Sequence, residues 1–110
     1  MSKTIKMVRG TTNSIYVTVL DDAGELYKLK NGEKLIFGVK TNINYSTCCI
    51  HKVITEGDGE YEIRLKPEDT ENLPFGKFCY DVGLQIGKDY FPVIECSPFV
   101  LTHNVTKREV

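Results

Sequence analysis

The chain of 110 residues has no tryptophan, and its opposite charges almost cancel. Its 14 Lys and Arg stand against 15 Asp and Glu, so we expect no concentrated basic surface for binding nucleic acid. No apolar run approaches the roughly 20 residues of a membrane-spanning helix. The start, Met1-Ser2-Lys3, lacks the apolar core of a secretion signal. These absences predict synthesis in a reducing cytoplasm, with neither a nucleic-acid nor a membrane partner.

Motifs for catalysis and cofactor binding are missing as well. The sequence contains no nucleophile elbow, no Walker A loop and no dinucleotide-binding glycine pattern. His51 and His103 lie far apart in the chain. A Cys–His pair, for instance His51 with Cys79, is an alternative, and a half-exposed histidine near a packed thiol is the interpretation that we favour. We therefore predict a protein that is not an enzyme and holds no cofactor.

Four cysteines, Cys48, Cys49, Cys79 and Cys96, form an even set that raises the question of disulfides. In a reducing compartment, free thiols are the expected state. No pair of cysteines has the C-x₂-C or C-x₄-C spacing of a zinc site. A bond from Cys48 or Cys49 across strands to one of the other two stays open. The cysteines therefore predict no metal site.

Period-2 alternation of apolar and polar residues dominates the chain and predicts half-buried β-strands. It is clearest in residues 77–86 and 60–65 and recurs in residues 14–19 and 34–40. The apolar members expected to share buried faces are Phe78, Tyr80, Val82, Leu84, Ile86, Tyr61, Ile63, Leu65, Ile15, Val17, Val19, Leu35, Phe37 and Val39. This pattern favours an all-β fold.

Turn signals punctuate these strands about every ten residues. Residues 21–25, Asn31-Gly32 and residues 87–89 are rich in Gly, Asp and Asn, and residues 57–59 predict a hairpin between segments 47–55 and 60–65. One short helical turn is predicted near residues 67–73, where the chain would cross between sheets. We expect an antiparallel β-sandwich in a single domain, residues 1–105, followed by a tail at residues 106–110.

Residues 90–95 depart from the simple alternation. Both faces of this segment are partly apolar, and Pro92 cannot donate a ladder hydrogen bond. The combination predicts an edge strand that is covered by another element, for instance a neighbouring subunit. We therefore propose Tyr90, Phe91, Pro92 and Val93 as part of a partner-contact surface. As an alternative function, a flat surface of Tyr16, Tyr27 and Tyr45 would indicate a carbohydrate-binding sandwich used in host adsorption.

Several strings resemble the small immunoglobulin-like domains of phage and prophage tails and baseplates, such as the N-terminal domain of the baseplate upper protein. Arg9-Gly10-Thr11-Thr12 leads into an alternating strand, and residues 21–29 resemble the acidic turn that follows it in the family. The most specific stretch, residues 67–82, reads PEDTENLPFGKFCYDV. The adjacent Cys48-Cys49 is unusual for the group.

This resemblance covers roughly residues 7–102. It implies an immunoglobulin-like sandwich with a structural role and no catalytic residues. Its partners would be other tail or baseplate proteins, with a homo-oligomer favoured by the rotational symmetry of tails. Its location would be the bacterial cytoplasm during synthesis and then the virion tail.

Overall fold

The computed structural model describes residues 4–41, 48–106 and 109. Within these residues seven strands and one short helix follow one another along the chain. They are β1 (Ile5–Val8), β2 (Asn13–Thr18), β3 (Lys34–Lys40), β4 (Ile50–Ile54), β5 (Glu60–Leu65), α1 (Pro67–Thr70), β6 (Gly76–Ile86) and β7 (Asp89–Thr102).

The strands form two layers of unequal width. The wide layer has the strand order β1-β7-β6-β3-β4, and the narrow layer consists of β2 and β5 alone. Alternation along β5 and β6 buries Tyr61, Ile63 and Leu65 from one layer against residues such as Phe78 and Val82 from the other. The predicted all-β sandwich is therefore confirmed, because apolar residues of both layers belong to one core.

Aromatic rings pack tightly at the centre of this core. Phe99 has no exposed surface, and it meets Phe78 and Tyr80 edge-on, with ring centroids 6.4 Å apart in both pairs. Edge-to-face packing suits the positive edge and negative face of aromatic rings. Truncation of such a buried ring costs about 3–5 kcal/mol, so this cluster is a main source of the rigidity of the wide sheet.

Two features of the topology differ from the sequence prediction. First, β1 was not predicted, and it pairs in parallel with the end of β7, so the wide sheet is not purely antiparallel. Second, the hairpin predicted at residues 57–59 is wrong, because β4 pairs with β3 whereas β5 pairs with β2. Gly57 and Gly59 both adopt positive φ, and this turn carries the chain from the wide layer to the narrow one.

The second crossing between layers is the predicted helical turn, which the structure places at Pro67–Thr70. Asp69 holds this turn in two ways. Its carboxylate accepts a hydrogen bond from the main-chain N–H of Lys66 at 2.7 Å and forms an ion pair with Lys52 of β4 at 2.9 Å. The buried hydroxyl of Thr70 accepts a hydrogen bond from Gly10 at 2.8 Å. The crossing is thereby tied to both layers.

No helix in the described part of the chain has the length and apolar character needed to cross a membrane.

Candidate protein-contact surface

The β6–β7 hairpin presents the residues that the sequence marked for partner contact. Gly87 and Lys88 form its two-residue loop between Ile86 and Asp89. Gly87 has a φ of 60°, and positive φ at the first loop residue is the requirement of a type II′ turn, whose twist matches that of antiparallel strands. The predicted turn at residues 87–89 is therefore confirmed.

The four proposed contact residues lie on both faces of β7. Phe91 pairs with Leu84 and lies on the inner face, with 49% of its surface exposed. Tyr90 is 54% exposed on the outer face, and its ring covers Gly83, where a Cβ atom would overlap with the tyrosine hydroxyl. Pro92 is exposed, and Val93 is half-buried against the core. The hairpin thus offers apolar surface on two sides.

The first half of β7 forms an edge of the wide sheet. β6 pairs along the whole of β7, but β1 pairs only with Phe99–Thr102. Two register shifts interrupt the β6–β7 ladder in between. One shift leaves Val93 with no opposite residue in the β6–β7 ladder, and the other places Glu95 and Cys96 together opposite Asp81. Such β-bulges twist an edge and terminate regular pairing.

An open cleft of about 510 Å³, here called the end cleft, lies between this hairpin and the end of the narrow layer. Most of its lining residues are apolar, and among the described residues only Asp21 and Asp22 bring a charge to it. It is lined by Thr18, Val19, Leu20, Asp21, Asp22, Tyr27, Leu84, Ile86, Phe91, Pro92 and Val93. The end cleft exists because the hairpin of the wide sheet reaches beyond the cover that β2 provides.

Hydrogen bonds fix the wall of the end cleft that faces the hairpin. The Tyr27 hydroxyl donates to the Glu33 carboxylate at 2.8 Å, and the same oxygen accepts the N–H of Lys30 at 2.9 Å. The Lys30 N–H and then the Tyr27 hydroxyl lower the pKa of Glu33, and the bond to Glu33 raises the pKa of Tyr27. This wall is therefore held in place before any partner arrives.

A second, smaller hollow of about 170 Å³ opens on the outer face of the wide sheet. Cys48, Cys79 and Cys96 all line it, and we call it the thiol hollow. The bulge in β7 brings Cys96 beside Cys79. Partial burial of its sulfur, and then the neighbouring Cys79, raise the pKa of the Cys96 thiol. A raised pKa lowers the thiolate fraction, so this thiol is a weak nucleophile.

All four cysteines are free thiols. Among the described residues, no group of three or more His, Cys, Asp or Glu side chains is arranged to hold a metal ion. His51 is exposed on β4, where it pairs with Gly38.

The structure describes two of the three tyrosines of the carbohydrate alternative. Tyr16 is 74% exposed on the outer face of the narrow layer. Tyr27 is half-buried, and its hydroxyl is engaged by Glu33. Tyr45 lies outside the described residues.

Sequence reasoning predicted three of the eleven described residues that line the end cleft, Phe91, Pro92 and Val93, as contact residues and missed the other eight. Leu84 and Ile86 were predicted as ordinary core residues from their alternation, and Asp21 and Asp22 as turn residues. The position of the hairpin beyond β2 depends on tertiary packing, for which the local pattern holds no signal.

Comparison with known proteins gives no match, whether with family models, curated proteins or solved structures. The resemblance to phage-tail domains therefore stays a prediction.

Proposed function

We propose that this chain is a non-enzymatic structural protein of a phage or prophage tail or baseplate, and that it acts by holding other proteins at the hairpin end of its sandwich. The observation that carries the proposal is the end cleft, where Phe91 lies half-exposed over an apolar floor. Exposed apolar surface beside a concave site is typical of protein-contact regions. The partners would be neighbouring tail or baseplate proteins, in a symmetric assembly in the virion tail.

The rigidity of the scaffold supports such a role. β6 and β7 are the two longest strands, and they run from the hairpin end through the aromatic cluster of Phe78, Tyr80 and Phe99. A partner that binds at the hairpin therefore meets a surface anchored in the core. Preorganisation of this kind lowers the entropic cost of association.

The composition of purified particles tests this proposal. The source phage, or the particles induced from a prophage, would be purified and their proteins quantified by mass spectrometry. We expect the chain in a fixed copy number relative to other tail proteins, as a symmetric assembly requires. Its absence from the particles would contradict the proposal.

Two matched variants locate the contact. Phe91→Asp places a charge on the apolar floor of the end cleft, and we expect its incorporation to fall at least about tenfold. Tyr16→Asp places the same charge on an exposed residue of the narrow layer, away from the end cleft lining, and it should incorporate like the wild type. Equal incorporation of the two variants would show that the hairpin end is not the contact surface.

A further inference from the structure

The narrow layer has too few strands to cover the wide layer. Five strands face two, and β2 pairs only with β5 in the described part of the chain. The other edge of β2 borders the end cleft, since Thr18 and the residues after it line that cleft. Immunoglobulin sandwiches usually place four strands in the corresponding sheet. No strand of the described residues therefore occupies the space beside β2.

The register shows which main-chain groups face that space. The N–H of Val19 donates to Gly59 at 2.8 Å, which makes this pair a hydrogen-bonded one. Such pairs alternate with non-bonded pairs along an antiparallel ladder, so odd-numbered residues of β2 bond to β5. The main-chain groups of Tyr16 and Thr18 therefore point away from β5. Near the start of β2, the Asn13 side chain already accepts the N–H of Ser14 at 3.0 Å.

The edge of β7 across the end cleft is a poor site for strand addition. Pro92 has no N–H to donate, and two bulges interrupt the strand on either side of Ile94. Both features are recognised ways in which proteins prevent pairing at a sheet edge. β2 has neither a proline nor a bulge. An incoming strand would therefore form main-chain hydrogen bonds with β2, and its side chains would pack against β7.

The residues on the floor of the end cleft determine which side chains such a strand needs. Leu84, Ile86 and Phe91 face the space beside β2, so alternate residues of the added strand would be apolar. The charge is also defined, because Asp21 and Asp22 line the end cleft and no Lys or Arg of the described residues does. Asp21 is fixed by bonds from the N–H groups of Ala23 and Glu25, and Asp22 is exposed.

A second copy of the chain fits this site badly. If two copies paired their β2 edges about a twofold axis, with Tyr16 of each opposite Thr18 of the other, Asp21 and Asp22 would lie opposite Asn13 and Thr12, which carry no positive charge. A basic segment of a different protein has the complementary charge.

We propose that β2 accepts an extended segment of a partner protein as an additional strand, apolar at alternate positions and carrying Lys or Arg beside Asp22. Main-chain bonds to Tyr16 and Thr18 would supply affinity, and the end cleft would supply specificity, as in other cases of strand addition. The inference rests on the proposed contact role of the end cleft and names the mode of contact.

A synthetic peptide tests the proposal in solution. The probe has valine alternating with threonine over six positions, followed by two arginines, and its binding to the full chain would be followed by amide chemical shifts. We expect shifts at Tyr16 and Thr18, and about tenfold weaker binding of a peptide that ends in two glutamates. No binding of the basic peptide at millimolar concentration, or binding without shifts at these amides, would overturn the proposal.

Variants of one residue isolate the main-chain bond. Thr18→Pro removes the outward N–H and leaves the ladder to β5 intact, whereas Thr18→Val keeps the N–H and the shape. We expect Thr18→Pro to bind the basic peptide at least about tenfold more weakly than Thr18→Val. Equal affinities would overturn strand addition.

Asp22→Lys gives a second readout should Thr18→Pro fail to fold. This substitution at an exposed residue should weaken binding of the basic peptide and strengthen binding of the acidic peptide. Unchanged affinities would contradict the proposed charge preference. These results are distinguishable from particle composition. If the chain is present in tails but binds no peptide strand, the proposed function stands and strand addition is overturned. If the chain is absent from tails but binds the peptide, strand addition stands and the proposed function is overturned.

Discussion

The hydroxyl of Tyr61 donates a hydrogen bond to the main-chain carbonyl of Tyr27 at 2.6 Å and accepts one from the N–H of Leu29 at 3.1 Å. Tyr61 is only 2% exposed, at the start of β5. These two hydrogen bonds attach the connection between β2 and β3 to the narrow layer, next to the end cleft.

Replacement of Tyr61 by phenylalanine would leave the carbonyl of Tyr27 and the N–H of Leu29 without this partner. We expect Tyr61→Phe to lower the free energy of unfolding by about 1–3 kcal/mol, because each of these main-chain groups loses a hydrogen bond to the buried hydroxyl. Urea denaturation followed by circular dichroism measures the change. The same substitution at exposed Tyr16 is the control and should change stability by less than about 0.5 kcal/mol. Equal effects of the two substitutions would contradict the assigned role of Tyr61.

Asp69 ties the α1 crossing to the rest of the sandwich through two contacts, and Lys52 takes part in only one of them. We expect Asp69→Ala to destabilise the protein by about 1 kcal/mol or more, since it removes the bond to the Lys66 N–H as well as the ion pair. Lys52→Ala should cost less, about 0.2–1 kcal/mol. Chemical denaturation of both variants gives the order, and a larger cost for Lys52→Ala would contradict this explanation.

Stability at low pH should depend on Glu33. The Lys30 N–H and the Tyr27 hydroxyl lower its pKa from the ordinary value of 4.5. A lowered folded-state pKa gives stability that is present above the unfolded pKa and is lost as the pH falls through the folded pKa.

We therefore expect the wild type to lose more stability than Glu33→Gln when the pH falls from about 6 to about 3. Thermal melts across this range measure the difference. Parallel pH dependences of the two proteins would show that the Glu33 carboxylate is not held as described.

The Cys96 thiol should react slowly with alkylating reagents. Desolvation and the nearby Cys79 raise its pKa, so less thiolate is present at a given pH. Iodoacetamide labelling followed by peptide mass spectrometry should give a rate profile shifted to higher pH than that of glutathione.

Cys79→Ala should shift the profile of Cys96 back towards that of glutathione. Cys49→Ser is the matched control and should leave it in place, because Cys49 is not among the groups that shift the Cys96 pKa. A Cys96 profile at lower pH than glutathione would contradict the described surroundings of this thiol.

Alternation was sufficient to predict the strands and their buried faces, because it depends only on which side chains face the core. Tyr61, Ile63 and Leu65 of β5 follow it without exception, as do Phe78 and Tyr80 of β6. The hairpin at residues 57–59 was wrong because glycines permit a turn without determining which sheet the next strand joins. The bulges that bring Cys96 beside Cys79 were not predicted, because the departure of residues 90–95 from alternation was interpreted as an edge strand alone and register shifts arise from packing between strands.

The central claim is that the hairpin end of the sandwich, around the end cleft, is the surface that partners cover. Amide hydrogen exchange of the chain, free and in assembled particles, tests it most directly. The account predicts that assembly increases protection in residues 14–22 and 84–93, while the opposite end, at residues 8–12 and 102–106, exchanges as in the free protein. New protection confined to that opposite end would contradict the claim.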